Sequence, residues 1–217
     1  MIQSTSGKLQ KFFAKGKALH YKKGETILRS GDSPQGVYFL DKGYIRLYSI
    51  SESGEELTLI IFKSNDFFPM MWAINGTENE NYLEAITDAD LHRCSKEDFR
   101  RFIAENSDVS LELTSLTLTR MGGLLQRMEY LAFGSASQKV ASIFIICAER
   151  FGKKTDNSAI IDIPLTHKDV AMLVGMTRET VSIEIKKFER RGIIDHRGHA
   201  IFIKDLRKLQ KESLLNN

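Results

Sequence analysis

The stretch that most limits how this chain can fold runs from Pro164 to Ile194, PLTHKDVAMLVGMTRETVSIEIKKFERRGII. Thr166 is a natural helix N-cap, and Asp169 three places on makes a variant of the capping box. Val170, Leu173 and Val174 share one face of the helix that follows, and Gly175 stops it, because glycine enters the left-handed C-cap conformation without steric cost. Thr177 is the next N-cap candidate. Val181, Ile185 and Phe188 then recur at i, i+4 and i+7 as one buried stripe. Arg178, Glu179, Ser182, Ile183, Lys186 and Arg190 are left facing outward. A short helix, a glycine turn and a second helix with a polar outer face predict a helix-turn-helix. An αα-hairpin inside a core is the plainer alternative. Against it stands the mixture of base-reading and phosphate-binding side chains on the outer face.

Charge supports that reading. Residues 164–217 hold eleven Lys/Arg against seven Asp/Glu, although the whole chain carries only +3, so the basic excess lies with the motif and favours phosphate contacts there. The 217 residues, 42% apolar and 27% charged, fit a soluble globular chain of one or two domains. No apolar run approaches the length of a membrane span, and the basic N-terminus lacks an apolar export segment. Cys94 and Cys147 lie far apart without metal-type spacing, so a reduced cytoplasmic protein with no metal site is expected.

Upstream, residues 8–19 (KLQKFFAKGKAL) read as a short amphipathic helix. From His20 to Cys94 glycines punctuate short runs rich in branched and aromatic residues: TILRS, GVYFLDKG, YIRLYSIS, ELTLIIF, and a last pair in YLEAITDADLHRCS. Many short strands at this spacing predict a small barrel or jelly-roll-like sandwich. SKEDFRRFIAEN reads as a helix capped by Ser95. A long helix follows from Ser107 or Asp108 to about Ala132 with two apolar stripes. One holds Leu111, Leu118, Met121, Leu125 and Met128, and the other Val109, Leu113, Leu116, Leu124 and Leu131. One stripe is expected to cover the β-domain and the other to meet a partner helix, with burial on both sides within one monomer as the alternative. Gly122-Gly123 marks a close approach, a hinge or a tolerated weak spot. Residues 137–151 read as a further helix and IIDIP as a strand. GIIDHRGHAIFIKD reads as a hairpin with Arg197-Gly198-His199 at its tip, and residues 204–217 as a polar helical tail. A hairpin behind a helix-turn-helix is the wing of a winged helix.

With these pieces assembled, the chain resembles the catabolite-activator/fumarate-nitrate-regulator (Crp–Fnr) family of bacterial transcription factors over nearly its whole length. The resemblance rests on KKGETILRSGD, VYFLDKGYIRLY, the Gly54 turn, NDFF, LAF at 131–133, and above all LTHKDVAMLVGMTRETVSIEIKKFERRGII. It implies an α+β architecture: a cyclic-nucleotide-binding-like β-roll of the jelly-roll type (1–106), a long dimerisation helix (107–133) and a C-terminal winged helix-turn-helix (134–217). It further implies a homodimer on a two-fold-symmetric DNA operator, RNA polymerase as a partner, and control by a small signal in the roll.

Arg178 stands where the family's guanine-reading arginine stands; its planar fork matches guanine O6 and N7. Glu179 matches the family's glutamate, which accepts from cytosine N4. Ile183 departs from members that place an arginine there; an isoleucine opposite the buried stripe suits a thymine methyl and implies fewer G·C-specific contacts. Ser182 completes the base-reading set, and Thr166, His167, Thr177 and Lys186 are the phosphate candidates.

The sensor half departs further. Where cyclic-nucleotide members carry a Gly-Glu-Leu and Arg-Ser-Ala phosphate cassette, this chain has Pro69 and Met70, then Asn79, Glu80 and Asn81. Proline offers no N–H, no cation is present, and Glu80 would repel a phosphate. Leu124 and Leu125 replace hydroxyl side chains that reach the base. Cyclic-nucleotide control is therefore not expected. An N-terminal segment without cysteine cannot hold an iron–sulfur cluster. His20 and His92 are the sensor half's only histidines, so haem or redox sensing has little support, and the cofactor stays open. Phe68, Met70, Met71 and Trp72, with Phe67, Leu124 and Leu125, either line an apolar effector pocket or form packed core, the latter giving an effector-independent regulator. A cupin-like enzyme lacks the required histidine cluster, and a protein-interaction module is the remaining alternative.

Overall fold

The computed structural model describes residues 5–197 and 200–215, and the chain divides into two compact units, residues 1–119 and 120–217. In the first unit, α1 (Thr5–Phe13) precedes eight strands: β1 (Lys17–Tyr21), β2 (Thr26–Leu28), β3 (Val37–Lys42), β4 (Ile45–Ile50), β5 (Glu56–Phe62), β6 (Phe67–Phe68), β7 (Tyr82–Ala85) and β8 (Ala89–Cys94). A short helix, α2 (Met70–Asn75), lies between β6 and β7, and α3 (Lys96–Glu105) follows β8. The strands pair antiparallel in two sheets of order β1-β8-β3-β6 and β2-β7-β4-β5. This is the expected jelly-roll-type β-roll.

Strand alternation explains its core. Tyr38 and Leu40 of β3 point into the roll with Leu28, Ile45, Phe62, Phe68, Leu83 and Leu91. Val37 and Phe39, on the other face of the same strand, pack with Leu9, Phe13, Phe67, Ala73 and Phe99 from the strands and helices outside. A strand covered on both faces reads as a continuous apolar run rather than an alternating one, as VYFL does. Ser95 caps α3 by accepting from the Asp98 N–H, as its sequence predicts.

Helix α4 (Ser107–Phe133) is continuous through Gly122-Gly123. Of its expected second stripe, Val109 and Leu113 join the outer core of the roll, Leu116 and Leu124 are exposed, and Leu131 is half-buried. The first stripe, Leu111, Leu118, Met121, Leu125 and Met128, is exposed throughout. A Cβ added at Gly122 or Gly123 would meet nothing among the described residues, so no close approach within the chain requires either glycine.

The second unit contains α5 (Ala136–Phe151), β9 (Gly152–Lys154), β10 (Ala159–Ile161), α6 (His167–Val174), α7 (Arg178–Arg190), β11 (Ile194–Arg197), β12 (Ala200–Ile203) and α8 (Leu206–Lys211). Its sheet runs β11-β12-β10-β9, all antiparallel. The wing hairpin forms as expected, with Ile194 opposite Ile203; Gly198 and His199 at its expected tip lie outside the described residues.

Two expectations are corrected. The first helix stops at Phe13, and Lys17–Tyr21 is instead a strand pairing with β8, Leu19 opposite Leu91. Backbone pairing and an inward-facing Leu19 and Tyr21 outweigh the weak helical period there. The expected C-terminal helix over 204–217 is confined, among the described residues, to Leu206–Lys211, capped by Asp205.

Candidate nucleic-acid interface

The second unit is built to hold α7. Its inner face, Val181, Ile185 and Phe188, is fully buried against the rest of the unit. At the start of α6 the capping box is complete: the Thr166 hydroxyl accepts from the Asp169 N–H at 3.2 Å, and the Asp169 carboxylate accepts from the Thr166 N–H at 2.7 Å. Gly175 ends α6 at φ 61°, ψ 48°, and its N–H and that of Met176 both donate to the Ala171 carbonyl. The left-handed conformation favours glycine there over any residue with a Cβ. Thr177 then caps α7 through the Thr180 N–H.

The outer face of α7 carries Arg178, Glu179, Ile183, Lys186 and Arg190, all exposed. Among the described residues no ion pair engages Arg178, Glu179 or Lys186, so their charges are unneutralised by the protein itself. Ile183 is 55% exposed, an apolar side chain held in water amid charges. Ser182 is placed differently from its neighbours. Its hydroxyl donates to the Arg178 carbonyl at 2.8 Å and lies 2.8 Å from His167 Nδ1, so it ties α7 to the first residue of α6. The Thr166 and Thr177 hydroxyls are likewise committed to their caps, which leaves Arg178 and Lys186 as the unengaged cations of the set.

Several residues that shape this surface carry no local sequence signal. Glu184 is buried on α7 and bonded to Lys187 at 2.7 Å. His196 of the wing is held by Glu189 at 2.7 Å, and its ring lies 5.6 Å from that of His167. Arg127, near the end of α4, donates from Nη2 to the Leu173 carbonyl at 2.6 Å. That carbonyl lies in the last turn of α6, where helices leave acceptors unpaired and favour a cation. Tyr130, one turn further on, is also buried, which pushes its phenol up to about 12. A polar residue of the long helix thus closes the end of the first helix of the motif.

Within the roll, Phe68, Met70, Met71 and Trp72 do not share one cluster. Phe68 lies in the roll's inner core, stacked on Tyr38 at 5.6 Å and against Phe62 at 4.9 Å. Met70 and Trp72 pack on the outer core instead, and Met71 is exposed. Leu124 and Leu125 are exposed on α4. Asn79, in the stretch matching the phosphate cassette, has its amide committed to the Arg29 and Asn81 carbonyls at 2.7 and 2.8 Å. His20 and His92 bind Asp90 and Asp41, at 2.7 and 2.5 Å. Strand alternation turns both outward, since Leu91 faces the roll interior.

A roll of two antiparallel sheets, one long helix and a winged helix whose second helix exposes a polar reading face together define a regulator that binds DNA. Comparison with known proteins agrees. Residues 18–106 match the model of the cyclic nucleotide-binding domain, and residues 138–212 that of the Crp-like helix-turn-helix domain. The chain is similar to the global nitrogen regulator of Nostoc sp., 27% identical over 164 residues, covering 75% of this chain and 74% of that protein. It is also similar to the nitrogen fixation regulation protein FixK of Bradyrhizobium diazoefficiens, 28% identical over 189 residues, covering 87% of this chain and 78% of that protein. The solved structure of FixK2 from Bradyrhizobium japonicum superposes with a TM-score of 0.80 at 19% identity, covering 93% of this chain and 99% of that one. The chain belongs to the Crp–Fnr family and is a DNA-binding transcription regulator.

Proposed function

We propose that this regulator acts as a homodimer in the cytoplasm, without catalytic activity of its own. Paired α4 helices would present two α7 helices to successive major grooves of a two-fold-symmetric operator, roughly 34 Å apart. Three functional parts follow: a sensor roll (1–106), a dimer helix (107–133) and a DNA-binding winged helix (134–217). Arg178 and Glu179 read a G·C pair, Ile183 meets a thymine methyl, and Lys186 holds phosphate. His167, Thr166 and Thr177 approach the backbone from the two helix N-termini. RNA polymerase is the partner through which such a complex would act. No helix among the described residues is long and apolar enough to cross a membrane.

The observation that carries this reading is the unneutralised Arg178 beside exposed Ile183 on a helix whose other face is fully buried. Selection from random duplexes tests it. Enriched sites are expected to be two-fold symmetric, with one well-specified G·C pair per half-site and a thymine opposite Ile183. Two well-specified guanines per half-site would remove the Ile183 assignment, and an unenriched pool would remove the function.

The signal is proposed to lie outside the cyclic nucleotides, because the cassette stretch offers Pro69 and an already committed Asn79. A second reading, an effector-independent regulator, is favoured by the rings of Tyr38, Phe62 and Phe68, which fill the roll interior between the sheets. Haem held inside the roll would find no histidine facing it among the described residues. Thiol-based redox sensing is disfavoured too. Burial pushes Cys94 and Cys147 both up to about 12, so neither is a thiolate at neutral pH. Iodoacetamide at pH 8 is expected to leave both unmodified in the folded protein and to label both after denaturation, read by intact mass. Rapid single labelling of the native protein would overturn that expectation.

A further inference from the structure

We propose that His167 is a proton-linked phosphate contact: the imidazole takes up a proton when the protein binds DNA, so operator affinity rises as pH falls into the weakly acidic range. The proposal deepens the DNA-binding reading above and rests on it.

One arrangement of hydrogens satisfies both contacts of Ser182 and sets the starting state of the ring. Ser182 has one hydroxyl proton, and it goes to the Arg178 carbonyl at 2.8 Å. The same oxygen lies 2.8 Å from His167 Nδ1, and both contacts are met together when Nδ1 carries the hydrogen and the Ser182 oxygen accepts it. Nε2 is then the ring's only free lone pair and the only place a proton can add. Adding it leaves the Nδ1–H to Ser182 bond in place. The charge of the surface changes, but the tie between α6 and the reading helix does not.

The surroundings decide when the proton adds. From β11 the ring faces His196, whose own Nδ1 is held by Glu189 of α7. From α7 it also faces Arg178 and Lys186, which no ion pair engages among the described residues. On its own helix, Lys168 adds another positive charge, and the Asp169 carboxylate is committed to Thr166. Burial first, then His196, Arg178 and Lys186, hold His167 below its ordinary 6.5 against the opposing pull of Glu189. The free protein therefore carries the ring neutral at pH 7. Phosphates reverse this balance. They neutralise Arg178 and Lys186, add negative charge beside the ring, and accept a charge-assisted hydrogen bond from a protonated imidazole.

The linkage has a definite sign. A group with a higher pKa in the complex than in the free protein strengthens binding as pH falls through the bound-state value. The gain levels off below the free-state value, at about tenfold for each unit of difference. Folding stability moves the other way. The depressed value in the folded state contributes stability above pH 6.5 that is lost as pH falls through the folded value.

Fluorescence anisotropy with the selected duplex, at fixed ionic strength from pH 8 to 5.5, tests the proposal. Wild-type affinity is expected to rise about tenfold or more across the range, with proton uptake visible by calorimetry in two buffers of different ionisation heat. His167→Asn keeps an N–H for Ser182 but cannot titrate, and is expected to bind weakly at every pH. His167→Arg carries a permanent cation, and is expected to bind tightly at every pH. A merely structural histidine would make both variants weak. A wild-type slope that persists in His167→Asn, or binding without proton uptake, overturns the proposal while leaving the DNA reading intact. Wild-type protein that fails to bind the duplex at any pH overturns both.

Discussion

Replacing Leu118 and Leu125 together with glutamate is expected to turn the protein into a folded monomer. The two side chains are 58% and 59% exposed in the single chain, and they continue a stripe with Leu111, Met121 and Met128. A row of large apolar side chains on one helix is unusual on a monomer surface and marks an interface. Full burial of each leucine contributes about 1.5–3 kcal/mol, and two-fold symmetry doubles every contribution. The double variant removes four such groups from the dimer and puts four carboxylates in their place. Sedimentation velocity is expected to give the monomer mass. Circular dichroism and the thermal midpoint of the monomer fold should change little, because both leucines are exposed in the single chain. Operator affinity is expected to fall by about a hundredfold or more, since each half-site must then be bound without its linked neighbour. A variant that stays dimeric would remove α4 as the pairing element.

Arg178→Ala is expected to cost about 1–3 kcal/mol at each half-site, or roughly 5- to 150-fold, and about the square of that for a dimer on a symmetric operator. The loss should come with a loss of discrimination at the guanine position. Lys186→Ala is the useful contrast. It should weaken binding to all duplexes alike and flatten the dependence on salt, because a phosphate contact releases counterions but reads no base. Both side chains are exposed on the outer face of α7, so neither variant should lower the thermal midpoint appreciably. Equal weakening of operator and random duplex by Arg178→Ala would reassign that arginine to the phosphates.

The motif was legible because its determinants are local. Thr166 with Asp169, Gly175, Thr177, and the Val181-Ile185-Phe188 stripe each act within about four residues, and all take their expected places. Most of the strands between Thr26 and Cys94 were legible for the same reason, but β1 was not. Long-range partners were not. Nothing near Arg127 in the sequence points to the Leu173 carbonyl 46 residues away, and nothing near Ala18 announces its pairing opposite His92. Ser182 was read as facing DNA from its helical phase alone. Phase gives the direction of a side chain but not what is already bonded to it, and His167 comes from another helix. The aromatic run at Phe67-Phe68 left pocket and packed core both open for a related reason: in a strand, neighbours enter opposite cores, so adjacency in sequence puts them apart in space.

The separation of the exposed stripe of α4 from the reading face of α7 has a genetic consequence. A subunit damaged at Arg178 keeps every side chain it needs to find a partner. In a cell expressing both alleles equally, half of the wild-type subunits would sit in mixed dimers with one blind half-site, so the damaged allele should interfere with the intact one. An allele damaged at Leu118 and Leu125 would leave its wild-type neighbours to pair with one another, and should be recessive. With α4 pairing the subunits as proposed, the helix would decide whether a fault stays private to one gene copy or spreads to the other.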